Sequence, residues 1–332
     1  MKIAAIVFLI CASSIGFSQD SLDSVPYNSY RDKVILYSDL GFSSAPFTIT
    51  GDFPNSGNKL KYRHNQQLIM GLGFAYKWMA LRIGFGLPIQ MRPVSKFGPS
   101  RYLDFGFKFN LKQTFWDVDI RNYSGYVIKD AYQWNDTLST DAPHLKIPNT
   151  NSINFSVNCW YFKSKDFKMN SVLGKKGDYN QSHGTWYFKS SLNVFGSGNS
   201  ANSIIPSALV DTSITANRAT AISALDIGLV PGYAYVYRWN NWQVTGFGGF
   251  GGVIQSKFFA FDGNQQRGFL GLAPRLDLRF IAGYSKERYF VWLHTNFDVK
   301  SIRFRDLTYR QTYNTIRVIA GVRLDKRKKK ND

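Results

Sequence analysis

A chain of 332 residues with 41 lysines and arginines against 22 aspartates and glutamates carries a formal charge of +19. In a cytosolic protein that balance would point to nucleic acid, but the N-terminus has the layout of an export signal and excludes that partner. No later run reaches the roughly eighteen apolar residues of a membrane helix, and removal of the signal leaves Cys159 as the only cysteine, which excludes an intramolecular disulfide.

The signal consists of Met1-Lys2, the apolar run Ile3 to Ala12, and Gly16-Phe17-Ser18 before Gln19, with cleavage expected near Ser18. Residues 19–29 then form a short periplasmic lead, and residues 30–325 alternate apolar and polar side chains in runs of about ten. The tenth run shows the pattern: Leu270, Leu272, Pro274, Leu276, Leu278 and Phe280 share one face, and Arg275, Asp277 and Arg279 share the other. A chain built almost wholly of such strands closes into a tube that is greasy outside and polar inside. The fold class predicted is therefore an all-β, antiparallel outer-membrane β-barrel, and the alternative is a secreted soluble β-sandwich.

Short connections are expected at Lys77 to Ala80, Lys112 to Gln113, Ser164 to Asp166, Arg238 to Asn241 and Ser285 to Glu287. Long ones are expected at Gly51 to Asn58, Gln90 to Ser100, Asp130 to Thr150, Gly196 to Thr220, Phe261 to Gly268 and Arg305 to Gln311. Their alternation predicts twelve strands with both termini at the short-turn, periplasmic end. Within the seventh strand, Gly174 to Asn180 reads as a turn or bulge; a hidden hairpin there would make the count fourteen. Residues 326–332 close the chain as a basic periplasmic tail.

Aromatic side chains on the apolar parity next to the short turns are Tyr76, Trp78, Trp116, Tyr161, Tyr237, Trp242, Tyr284 and Tyr289. Rings with a polar handle collect at the headgroup level, so these eight predict a periplasmic girdle in contact with outer-membrane lipid. The opposite parity places a charged cluster in the lumen: Arg275, Asp277 and Arg279 on the tenth strand, Asp298 and Lys300 on the eleventh, Arg317 and Arg323 on the twelfth. Twelve strands lie between barrels filled by their own side chains and barrels with an aqueous channel. The cluster therefore reads either as an ion-pair network filling the interior or as a narrow, positively walled path or pocket for a small anionic solute.

The parts of an enzyme do not assemble in the sequence. Asp117 and Asp119 form an inward carboxylate pair, and His294 shares a face with Asn296 and Asp298, but no serine nucleophile can be placed beside that histidine. The four histidines are widely separated and lack acidic or cysteine partners at ligand spacing, so neither a metal nor a cofactor is expected. A barrel hydrolase is the remote alternative, no enzyme is expected, and the sequence identifies no protein partner.

The blocks Lys59-Leu60-Lys61-Tyr62-Arg63-His64-Asn65, Leu72-Gly73-Phe74-Ala75-Tyr76-Lys77-Trp78, Gly84-Phe85-Gly86-Leu87-Pro88 and Gly232-Tyr233-Ala234-Tyr235 resemble the family of Bacteroidota envelope proteins known as domain of unknown function 4421. The resemblance spans most of the chain after Tyr30. It implies an outer-membrane barrel of a Gram-negative bacterium and brings no activity or site residues with it.

Overall fold

The computed structural model describes residues 25–53, 58–111, 113–210, 218–261 and 264–325; the expected signal, residues 1–18, and the basic tail, residues 326–332, lie outside the described residues. In chain order the strands are β1 (Tyr27–Ser29), β2 (Val34–Ser44), β3 (Phe47–Gly51), β4 (Lys59–His64), β5 (Gln67–Tyr76), β6 (Met79–Gln90), β7 (Arg101–Leu111), β8 (Thr114–Ile128) and β9 (Leu145–Phe162). They continue with β10 (Gly177–Tyr179), β11 (His183–Asn199), β12 (Ala221–Trp239), β13 (Trp242–Phe261), β14 (Asn264–Arg267), β15 (Gly271–Ser285), β16 (Tyr289–Arg303) and β17 (Leu307–Leu324).

Twelve of these, β2, β5 to β9, β11 to β13 and β15 to β17, form a ring of antiparallel neighbours that closes where β17 pairs with β2, Val322 opposite Leu36. Closure leaves the ring no free edge to recruit another chain. Along the ring, polar and apolar side chains sort as the alternation requires: Leu278 is 41% exposed on the outside, whereas Arg275 and Asp277 are buried within. An exterior of Leu72, Ile83, Phe105, Ile227, Phe250, Ile316 and Val318, all well exposed, is the surface of a barrel that sits in hydrocarbon rather than in water. Tight turns join the strands at one end. Lys77 and Asn240 adopt left-handed backbone there, with φ of 48° and 51°, and the Lys77 amide is held by the carbonyl of Arg31.

Three features differ from the sequence reading. First, the connection after Ser164 is not a short turn, and Gly174 to Asn180 is not a bulge in the seventh strand. That strand is β11, and the chain between β9 and β11 folds back into the barrel as a plug. One helical turn, Met169–Val172, buries Met169 and Val172 against the inner wall, and β10 pairs with β1, so the lead is tied to the plug. Gly174, at φ 70°, faces the Trp292 ring so closely that a β-carbon would collide with it, and the Trp292 indole donates to the Gly174 carbonyl at 3.0 Å. The plug replaces a strand interruption because its partners, Trp292, Gln243 and Arg323, come from walls far away in sequence.

Second, the chain breaks at Ala45-Pro46 and Asn65-Gln66, where the β3–β4 hairpin leaves the ring. β3 stays on β17, but β4 crosses to β8, Tyr62 opposite Ile128, and bypasses β5 to β7. The hairpin thereby leans over the lumen. His64 Nε2 accepts the Ala45 amide at 2.9 Å, and the Tyr126 hydroxyl donates to the Ala45 carbonyl at 3.0 Å. Third, Arg305 to Gln311 is not a long loop: β17 begins at Leu307, because the alternating Leu307, Tyr309 and Gln311 face inward and pair along β3.

The face assignment makes a prediction for β15. Leu278→Arg should weaken folding into bilayers by about 2–4 kcal/mol if the site lies near the midplane. Arg279→Leu should cost less. Urea titrations of the two variants in liposomes would measure this, and equal or reversed costs would contradict the assigned register.

Candidate functional site

Two apolar layers cross the lumen, and the candidate site lies between them. At the long-loop end Phe47 stacks on Tyr62 at 4.2 Å with Tyr126 and Tyr309 beside them, and Ile204, Ile205 and Leu209 of the β11–β12 loop complete a fully buried layer. The Tyr62 hydroxyl donates to the Ile204 carbonyl at 2.9 Å and pins the loop to the hairpin. At the short-turn end the plug residues Phe167, Met169, Val172, Leu173 and Tyr179 pack on Trp160, Tyr187, Phe247 and Trp292. Gln243, on β13, accepts the Tyr179 amide and donates to the carbonyls of Ser171 and Val172, which satisfies the plug backbone inside the barrel.

Between the layers lies a cavity of about 130 Å³. Among the described residues its wall carries nine cations (Arg82, Lys108, Arg121, Lys175, Lys189, Arg275, Arg279, Lys300 and Arg317) and four carboxylates (Asp117, Asp119, Asp277 and Asp298). Asp39, Asp104 and Asp226 stand just behind, so nine positive charges meet seven negative ones. Polar side chains such as Asn154, Asn158, Asn193, Ser156 and Thr315 fill the spaces between them.

Most of these charges are held in three groups, and Lys108 with Asp117 and Arg121 with Asp119 form pairs besides them. Arg82 makes two bonds to Asp39, at 2.6 and 2.7 Å, and a third to Asp104, which also accepts from Arg317 at 2.7 Å. Asp277 accepts from Lys189 at 2.8 Å and from the Tyr187 hydroxyl at 3.0 Å, with Arg279 at 3.5 Å. Glycines at 232 and 249 on β12 and β13 provide the notch in which the Tyr187 ring lies, since a β-carbon at either would strike its hydroxyl end. Arg275 bonds Asp226 and reaches Asp298 at 3.7 Å, while Lys300 bonds Asn154 and Asn193 at 2.5 and 3.1 Å. Taking ions out of water costs several kcal/mol each, and only such multiple bonding repays it.

Of the seven lumen residues expected from the sequence, Arg275, Asp277, Arg279, Asp298, Lys300 and Arg317 meet in this cavity. Arg323 does not. It stands below the plug, donating to the carbonyls of Gly174, Lys175 and Lys286 with Tyr30 and Phe290 against its guanidinium, so its task is to hold the plug. Seven of the eight aromatic residues read as a girdle flank the short turns on the outer face, and Tyr161 stands at the end of β9 where the plug begins; Trp78 lies on Phe107 and Phe109, Trp116 is stacked on Phe109, and Trp242, Tyr284 and Tyr289 form one row. Tyr161 and Tyr237 are exposed at the same level, and Tyr76 ends β5 beside the Lys77 turn.

Asp117 and Asp119 are tied to Lys108 and Arg121, and His294 faces the cavity beside Arg317. Sequence reasoning missed Lys175, which the plug carries to the wall. It also missed the contact of Ser164 Oγ with His183 Nε2 at 2.9 Å at the foot of the plug, where Ser164 also accepts the Asp166 amide. The only signal for either was the polar, glycine-bounded stretch between β9 and β11.

The network predicts asymmetric mutational costs. Asp277→Asn strands Lys189 and Arg279 against each other and should destabilise the barrel by about 3–5 kcal/mol. Asp277→Leu combined with Lys189→Met should recover most of that loss. Denaturant unfolding in liposomes measures both, and a single variant within about 1 kcal/mol of the parent would contradict the pairing.

Solved structures resemble the fold at low identity. The outer-membrane protease OmpT from Escherichia coli is 8% identical, with 92% of this chain and 99% of that one covered and a TM-score of 0.38. For the β domain of the Bordetella autotransporter BrkA the values are 11%, 88%, 99% and 0.37, and for the translocator domain of the autotransporter NalP from Neisseria meningitidis 8%, 97%, 97% and 0.34. Likeness of that degree says nothing of activity, and no curated protein matches the chain. Residues 21–323 match a whole family, and the chain thus belongs to the one described as a domain of unknown function, DUF4421.

Proposed function

We propose that the chain is an integral outer-membrane β-barrel that holds a small, negatively charged solute in its lumen and is closed to ion flow in the conformation described. The observation that carries this reading is the 130 Å³ cavity, walled by more cations than carboxylates and bounded by two apolar layers. The apolar exterior, the aromatic row at the short turns and the signal-like N-terminus support an outer-membrane address.

A structural barrel with a filled lumen is the second reading, supported by the density of internal ion pairs. The two differ in what the cavity takes up. Several wall atoms with no hydrogen-bond partner among the described residues, including Arg317 Nε, Arg275 Nε, Asp117 Oδ1, Ser191 Oγ and His294 Nε2, favour an occupied chamber over a finished network. A cavity of this size takes several waters or one small ion.

In planar bilayers the refolded protein should be electrically silent, and deletion of residues 168–180 should leave it silent, because the layer of Phe47, Tyr62, Tyr126 and Tyr309 still crosses the lumen. Steady conductance from the parent protein would overturn the closed reading. Radiolabelled anion retained by the refolded barrel, and lost when Arg279 and Arg317 are both neutralised, would separate the chamber from the filled lumen.

A further inference from the structure

Lys175 is the side chain that the lumen network leaves over. It is 8% exposed, it points from the plug into the cavity, and among the described residues no carboxylate lies within ion-pair distance of its ammonium. Its contact is the face of Tyr37, 3.7 Å from the ring centre. The charged groups around it are Lys108 of β7, Arg82 of β6, Arg317 of β17 and Asp39 of β2. Both oxygens of Asp39 are taken by Arg82, and Arg317 and Lys108 are engaged by Asp104 and Asp117. The corner therefore has an uncompensated positive charge in a poorly hydrated place, where an isolated ion is costly.

Two wall groups complete it. Among the described residues Arg317 Nε is buried without a partner, and so is His294 Nε2, whose ring lies against the backbone of Leu173 in the plug. His294 and Arg317 stand directly opposite each other on β16 and β17. Lys175 and Leu173 belong to the plug, while Lys108, His294 and Arg317 belong to the ring, so a ligand bound here touches both bodies at once. Lys108, with its side chain 29% exposed, is the most exposed charged group of the wall.

We propose that this corner binds a small oxyanion, such as phosphate, sulfate or a short carboxylate, and that the bound anion latches the plug to the barrel wall. The inference rests on the reading of the lumen as a solute chamber. Charge-assisted bonds from Lys175, Arg317 and His294 to the anion supply what Lys175 lacks, and they form only while the plug is seated. Anion binding and plug seating are then linked: each anion-bound molecule must release its ligand before the plug leaves.

The full-length protein with Cys159→Ser and Ser171→Cys, refolded in liposomes, reports the plug directly, since Ser171 is buried on it. Labelling of that thiol by a water-soluble maleimide should slow on addition of inorganic phosphate at constant ionic strength, by about elevenfold at ten times Kd. Parallel arms with sulfate and acetate identify which oxyanion the corner prefers. Adding Lys175→Met should abolish the slowing, Lys175→Arg should keep it, and Lys146→Met, at an exposed position near the long-loop end of β9, should leave it unchanged. No slowing by any of the three anions in the parent protein overturns the latch, whether or not Lys175→Met folds. If equilibrium dialysis shows anion bound while labelling is unaffected, or bound as tightly after Lys175→Met, the latch fails and the chamber reading stands; absence of any bound anion overturns both.

Discussion

The ionic side chains of a lipid-embedded strand have only one place to go. Placed outward near the midplane, each arginine or lysine would cost about 2–4 kcal/mol, so the alternation of these strands drives all of them into one interior. That interior is too narrow to hydrate so many charges as bulk water would. The barrel therefore has to neutralise its lumen with its own carboxylates, and the shared use of Asp104 by Arg82 and Arg317, or of Asp277 by Lys189 and Arg279, follows from that requirement.

Neutralisation explains the middle of the barrel and leaves the ends to a different force. Both mouths are closed by burial of apolar and aromatic side chains, contributed by segments that leave the ring: the β3–β4 hairpin and the β11–β12 loop at one end, the plug at the other. These segments carry backbone polar groups into the barrel, and inward wall residues meet them, Tyr126 at one end, Gln243 and Arg323 at the other. The plug differs from the hairpin in one respect. The hairpin joins the ring by strand pairing with β17 and β8, whereas the plug pairs only with β1, along three residues, and meets the ring through side-chain bonds from Trp292, Gln243 and Arg323.

The ring was legible in the sequence because its signal is local. A period of two, interrupted by two-residue turns, fixes strand number and facing without knowledge of any distant contact, and twelve strands with Leu278 outside and Arg279 inside follow from it. The segments that leave the ring obey no such period. Gly174 looks like a turn residue until the Trp292 ring is known to lie against it, and Lys175 looks like a solvated loop lysine until the plug places it over Tyr37. Arg323 shares the parity of Arg317, yet its depth puts it on the far side of the plug. Parity reports which way a side chain points; it carries no information on what fills the space it points into.

Hydrogen exchange of the plug backbone in the bilayer-embedded protein tests the closed lumen most directly. The amides of Leu173 and Tyr179 are bonded to Met169 and to the buried Gln243, inside a layer that excludes water. They should exchange as slowly as amides in the middle of β11 or β13. Exchange as fast as in the exposed loop around Thr137 and Ser139 would mean that the plug is not seated, and the chamber described here would not exist in the membrane.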